Sequence, residues 1–158
     1  MRVGSNMVRY AKEQEREIFE QTFQGHPEAM QFCLNILYIA HLWDDLIDKD
    51  KNRSDAEINS GFEILLLGIP SNPFYRAHQG SLLPMIHVAI ACWYESNKRQ
   101  KGTEDEKFYA FYLRNQLLSV VYFACLVVGG DPNPLHEYFA MQMKSQYDNF
   151  FMERLNNA

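Results

Sequence analysis

Apolar residues recur every three or four positions along most of this chain, and the interruptions fall at recognisable helix ends. From about Asn6 to Gln24, Met7, Tyr10, Ala11, Ile18, Phe19, Thr22 and Phe23 make one stripe, with the charged run KEQERE opposite. Ser5 is the expected N-cap, Gly25 and His26 end the helix, and Pro27 suits the first position of the next. That second helix, Pro27 to about Lys49, is apolar on most sides: Met30, Phe32, Cys33, Leu34, Ile36, Leu37, Ile39, Ala40 and Trp43. A helix apolar nearly all round belongs at the centre of a bundle.

A polar turn over 50–53 follows. Ser54 and Glu57 form a capping box that opens a helix running to about Gly68, where Pro70 is expected to stop it. Asn72-Pro73 opens a short helical segment ending at Gly80, and Ser81 caps the next helix, with Pro84 tolerable in its first turn. The basic stretch SNKRQKG suits a helix C-terminus. Thr103 and Glu106 make a second capping box, and one helix is expected from there to Val128, stopped by Gly129-Gly130. Asp131 to Pro134 is a sharp turn with Asn133 as cap, and a last helix runs from Pro134 to about Leu155. No strand alternation, internal repeat or low-complexity tract interrupts this pattern. The expected fold is all-α: one domain over residues 1–158, a compact bundle of about six helices around a central second helix.

Composition narrows the function classes. With 47% hydrophobic and 14% aromatic residues in 158, the chain can bury a core. A formal charge of −5 argues against nucleic-acid binding through phosphate contacts. Cys33, Cys92 and Cys125 lie in apolar runs without CxxC or Cys/His spacing, which suggests reduced buried thiols. The N-terminal stretch lacks the apolar run of a secretory signal. The most apolar run, Leu117 to Val128, falls short of the ~20 residues of a membrane span and is interrupted by Arg114 and Asn115. A soluble cytoplasmic protein without a membrane span is therefore expected, and its Tyr and Phe content makes a homodimer plausible.

The chemistry is concentrated in Asp44, Asp45, Asp48 and Asp50, at the end of the second helix. Taking His41 as zero and 100° per residue, Asp45 falls at about 40°, Asp48 at about 340° and Asp44 at about 300°. These side chains share one arc, and Leu42, Trp43, Leu46 and Ile47 opposite them are expected in the core. The carboxylates repel one another, oppose the helix dipole by roughly 0.3–1 kcal/mol each, and belong to a poor helix former. Two accounts offset these costs: a hard cation such as Mg²⁺, or neutralisation by Lys49, Lys51 and Arg53 on a solvated helix end. His41 could bond Asp45 one turn on, ligate a metal or act as a general base.

Asp44-Asp45-Leu46-Ile47-Asp48 followed by Arg53 resembles DDxxDxxxxR, the first aspartate-rich motif of trans-prenyltransferases and other class I isoprenoid synthases. The resemblance implies Mg²⁺ and a substrate diphosphate: Asp44 and Asp48 as metal ligands, Asp45 in support, Arg53 binding the diphosphate. Ser54 and Asp55 stand where that family often continues with Arg and Gly. Its second metal motif, N/D-xxx-S/T-xxx-E, is matched at Asn115 and Ser119, whereas Phe123 occupies the acidic position. The chain is also about half the usual length of that family.

Two other readings remain. Glu17-xx-Glu20 with Asp45-xx-Asp48 resembles the ExxE and ExxD pairs of all-α nucleotide pyrophosphatases of the MazG and dimeric dUTPase kind. A hairpin at Gly25-His26, however, sets Glu17 opposite about Leu34, and Asp45 then lies ~16 Å further along at 1.5 Å per residue. The other is a non-catalytic helical module that binds a partner protein or small ligand, with the aspartates as a solvated patch. His87 is expected as a core histidine, and His26, His78 and His136 as caps or surface residues. No GxSxG, P-loop or GxGxxG is present.

Overall fold

The computed structural model describes residues 4–49 and 51–152, with the side chains of the first helix from Glu13 onward; Met7, Tyr10, Ala11 and Asp50 are therefore outside the described side chains. In chain order the elements are α1 (Gly4–Thr22), α2 (Pro27–Asp48), α3 (Asp55–Glu63), a π-helical turn (Ile64–Gly68), α4 (Ile69–Ser71), α5 (Pro73–Arg99), α6 (Glu104–Arg114), α7 (Leu118–Val128) and α8 (Asn133–Met152). Because α3, the π turn and α4 are continuous, and α6 and α7 nearly so, they form six helical runs. No strand occurs among the described residues. The protein is an all-α bundle.

α2 is central because most of its sides have something to bury. Phe32, Cys33, Ile36 and Leu37 share one cluster with Phe19 and Phe23 of α1, Phe74 and Leu82 of α5, Val120, Val121, Ala124 and Cys125 of α7, and Leu135 and Phe139 of α8. Phe32 stacks on Tyr75 at 5.7 Å, and Phe19 meets Tyr138 edge-on at 6.4 Å. Burial pushes the Cys33 thiol up, with nearby Cys125 adding to the shift, so both behave as small apolar groups.

Both capping boxes form. Ser54 Oγ accepts from the Glu57 amide at 3.2 Å while Glu57 accepts from the Ser54 amide at 2.8 Å. Thr103 and Glu106 repeat the exchange at the start of α6.

Several boundaries differ from the sequence expectation. Ser5 lies inside α1, within the usual uncertainty of a helix end. Gly80 and Ser81 do not break the chain: α5 runs unbroken for 27 residues. Its inner positions Phe74, Leu82 and Ala89 keep helical register across the glycine, and their burial outweighs the modest cost of Gly in a helix. Pro70 does not stop the third run at once: helical backbone continues through it to Ser71. The chain leaves that run only at buried Asn72, whose side chain accepts from the Tyr75 amide and donates to the Glu28 carbonyl. The helix expected from 104 to 128 is two segments, joined at residues 115–117 by hydrogen bonds of the i→i+3 kind. At the start of α8 the cap is Asp131, which accepts from the Asn133 amide at 3.0 Å, rather than Asn133 itself.

One helical run, Glu104–Val127, is long and apolar enough to cross a membrane by length and composition, with 33% of its most apolar window buried. Exposed large apolar side chains also gather on the π turn, at Leu65, Leu66 and Leu67.

Candidate functional site

The last three turns of α2 carry the aspartates, and the helix does not lie the way the sequence suggested. Leu42 is buried, but Trp43, Leu46 and Ile47 are exposed, Ile47 by 55%. Asp45 is the inward residue at 7% exposure, one turn on from Leu42. An arc of about 100° is wide enough to be divided between two neighbours, and it is divided here. Asp45 faces α3, and Asp44 and Asp48 face α5 and α6.

On the α3 side, Asp45 Oδ2 accepts from Arg53 Nε at 2.7 Å and also from Arg53 Nη2. Arg53 Nη1 donates to Glu57 Oε1 at 2.9 Å, and the Arg53 side chain is only 17% exposed. The three residues form a closed chain built on the first turn of α3. The Ser54 amide, then Arg53, then the Ser54 hydroxyl hold the Glu57 carboxyl well below its ordinary range, to about 2. Arg53 is the counter-ion of a largely buried pair, with Nε, Nη1 and Nη2 each donating once to a carboxylate.

On the other side, Arg114 at the end of α6 reaches both remaining aspartates. Nη2 donates to Asp44 Oδ1 at 2.6 Å and to Asp48 Oδ2 at 3.2 Å. Nη1 donates to Asn97 Oδ1 at 3.0 Å and Gln100 Oε1 at 3.1 Å, both on α5. Trp93 Nε1–H donates to the same Asp44 oxygen at 3.1 Å, and its ring lies 5.2 Å from that of Trp43. Two carboxylates one turn apart thus converge on one guanidinium, leaving one negative charge uncompensated. Both aspartate side chains remain 33% exposed.

Sequence reasoning missed Arg114 as a site residue. The signal was present: a single cation within the apolar run FYAFYLRNQLLSVVYF needs a buried or half-buried partner. Lys49 and Lys51, the neutralisers suggested by proximity in sequence, form none of the ion pairs found here at Asp44, Asp45 or Asp48.

The other candidates are not brought to these aspartates. His41 is exposed, and Asp45 bonds Arg53 rather than His41. Asn115 Nδ2 donates to the Phe111 carbonyl at 2.9 Å, and Ser119 Oγ to the Gln116 carbonyl at 2.6 Å. Both hydrogen bonds serve the backbone around the α6–α7 joint. Ser119 also lines a shallow groove of about 230 Å³ with Pro84, Met85, Val88, Ala89 and Gln116. His87 is exposed rather than in the core. His136 shares a 2.9 Å hydrogen bond with the Tyr122 hydroxyl, and His78 packs on Phe74.

Among the described residues no three His, Cys, Asp or Glu side chains are set to hold a metal ion, which includes Glu17 and Glu20 taken with Asp45 and Asp48. What the donor set offers is a pair of carboxylates, Asp44 and Asp48, meeting at one cation position. A two-carboxylate pair suits Mg²⁺ when ligand phosphates and waters complete the octahedron. Asp45, spent on Arg53, does not join that set. Comparison with known families, characterised proteins and solved structures gives no match.

Proposed function

We propose that the Asp44–Asp48–Arg114 end of the bundle binds a diphosphate-bearing ligand of prenyl type together with Mg²⁺. One observation supports the reading: two half-exposed carboxylates converge on a single cation position held by a guanidinium. Asp44 and Asp48 would hold the ion, in keeping with the DDxxD resemblance. Bound there, Mg²⁺ would neutralise the diphosphate and, in a turnover reaction, stabilise it as a leaving group. Binding is the proposed function; the second metal motif, with Phe123 in its acidic position, lends turnover no support. The same reading takes the chain as a soluble cytoplasmic protein.

A second reading is favoured by a different observation, the exposure of Leu65, Leu66 and Leu67 in succession on the π turn and of Leu46 and Ile47 at the end of α2. Apolar side chains exposed in this way suit a non-catalytic helical module with a protein partner, a second copy of the chain included.

Thermal unfolding with and without Mg²⁺ plus inorganic diphosphate, on wild type and Asp48→Ala, separates the two. A ligand bound only by the folded state stabilises it by about 2.7 kcal/mol at a hundredfold excess over Kd. At this chain length each kcal/mol moves the midpoint by roughly 2–4 °C. The diphosphate reading expects a rise that needs both components and vanishes in Asp48→Ala. No shift at millimolar ligand would sink it and leave the interaction module, to be checked by sedimentation of the free chain.

A further inference from the structure

The central core stops partway along the hairpin made by α5, α6 and α7. It takes Leu82 on the outgoing side and Val120 on the returning side, with Ile86 and Leu117 packed at its edge. Among the described residues, none from 87 to 116 belongs to it. Both sides of the hairpin carry a defect at that level. In α5, Pro84 withholds the N–H that would bond the Gly80 carbonyl, the usual origin of a kink. On the returning side, α6 gives way to α7 through i→i+3 bonds at 115–117, a tighter geometry that often marks a hinge. Side chains take the carbonyls that this joint frees. Asn115 Nδ2 donates to that of Phe111, Gln116 Nε2 to that of Tyr112, and Ser119 Oγ to that of Gln116. Pro84, Gln116 and Ser119 line one groove of about 230 Å³, so the two defects lie side by side with room to flex.

Beyond the groove the hairpin is tied together from within. α6 packs chiefly on α5, with the small residues Ser96 and Ala110 buried. Arg99 lies 5.3 Å over the Tyr109 ring, and Arg114 Nη1 holds Asn97 and Gln100. The fastening to the rest of the bundle is of another kind. Arg114 Nη2 bonds Asp44 and Asp48 of α2, while Trp93 donates to Asp44 and packs on Trp43. Tyr147 of α8 adds ring contacts with Phe108 and Phe111. We propose that residues 87–114 are a hinged arm, turning at Pro84 and at 115–117, and that the Asp44–Arg114 contact is the latch that holds it closed on α2. A half-exposed ion pair is weak and screened by salt, which suits a latch that must release. The hinge device is independent of the diphosphate reading.

The test is pulsed electron paramagnetic resonance between two spin labels. One sits at Lys101→Cys, exposed at the tip of the arm, and the other at Asn52→Cys, exposed in the turn after α2. Cys92→Ser removes the half-buried thiol, and Cys33 and Cys125 are buried. This labelled parent should give one dominant distance. Arg114→Gln should raise the share of a longer distance at least about fivefold, the change expected from losing a half-exposed ion pair. Asp44→Asn should raise it less, and it leaves Arg114 its bonds to Asp48, Asn97 and Gln100, so the test stands if Arg114→Gln fails to fold. Adding Pro84→Ala to either variant restores the missing N–H and should lower the longer population again. Amide exchange across 104–113 should stay as slow as in the parent, because the arm moves with its helix bonds intact.

An unchanged distance distribution in the folded latch variants overturns the proposal: the ion pair then adds stability and nothing more. A longer population that Pro84→Ala leaves untouched overturns the hinge at that position. Faster exchange across α6 alongside the longer distance overturns the arm, since the segment then melts rather than swings.

Discussion

Arg114 Nη2 lies 2.6 Å from Asp44 Oδ1 although seventy residues of chain separate them. That contact fastens the C-terminal end of the central helix to the end of α6. It also brings Trp93, Asn97 and Gln100 of α5 into one network. The pair is half-buried, so its worth lies between that of an exposed ion pair and that of a buried one. A double-mutant cycle with Arg114→Ala and Asp44→Ala, read by urea unfolding, should give a coupling of about 1 kcal/mol. Because Asp44 is a third exposed, the coupling should weaken as salt is raised. Coupling indistinguishable from zero at low salt would mean that the network does not hold the two helices together.

The aspartates should also differ sharply in their contribution to stability. Asp45 is buried against Arg53, and removing one partner of such a pair strands the other charge. Asp45→Ala should cost about 2–4 kcal/mol, somewhat less than a fully buried pair because Arg53 keeps some solvent and still reaches Glu57. Asp48→Ala should cost less than about 1 kcal/mol, since Arg114 retains Asp44, Asn97 and Gln100. Equal costs in denaturant unfolding would contradict the division of the acidic arc between two sides of the helix.

What could be read from sequence was local. Ser54 with Glu57, and Thr103 with Glu106, sit three residues apart and cap their own helices, so distant packing could not change the answer. The apolar character of most sides of Pro27–Asp48 marked it as central for an equally direct reason: most of its surface needed a partner. The failures were tertiary. Gly80 and Ser81 look like a break, but burial of Phe74 and Leu82 on either side holds one helix through them. Helical periodicity gave the arc of Asp44, Asp45 and Asp48 but could not say that its two edges meet different neighbours. Asn115 and Ser119 had the right spacing for a ligand motif, yet the i→i+3 joint between α6 and α7 turns both to the backbone.

Acid should weaken the first turn of α3 through Glu57. Its carboxyl is held down to about 2 by the Ser54 amide, the Arg53 guanidinium and the Ser54 hydroxyl. A carboxyl whose folded-state pKa is depressed adds stability above its unfolded value of about 4.3. That contribution falls away as pH drops from there towards about 2. Glu57→Gln removes the titrating group, so the variant should be less stable than wild type at pH 7 and lose less between pH 5 and pH 2. The comparison needs only unfolding midpoints across that range; parallel pH profiles would show that Glu57 is not bound as described.

Two glycines should respond in opposite directions to the same substitution. At Gly80 an added Cβ meets nothing within 4 Å, and the backbone is already helical within α5. Gly80→Ala should therefore stabilise by about 0.5–1 kcal/mol, since the unfolded chain loses freedom and the helix loses nothing. At Gly130 an added Cβ would lie 2.5 Å from the Thr22 carbonyl oxygen and 3.1 Å from Cys125 Sγ. The carbonyl is backbone at the end of α1, and it also accepts from the Asp131 amide at 3.1 Å, so it cannot move aside without breaking that bond. Gly130→Ala should cost about 1–3 kcal/mol, as overpacking of a tight contact does. Urea unfolding of both variants checks the pair together. A destabilised Gly80→Ala would argue that the chain does break there, and a neutral Gly130→Ala would argue that the turn after α7 does not lie against the end of α1.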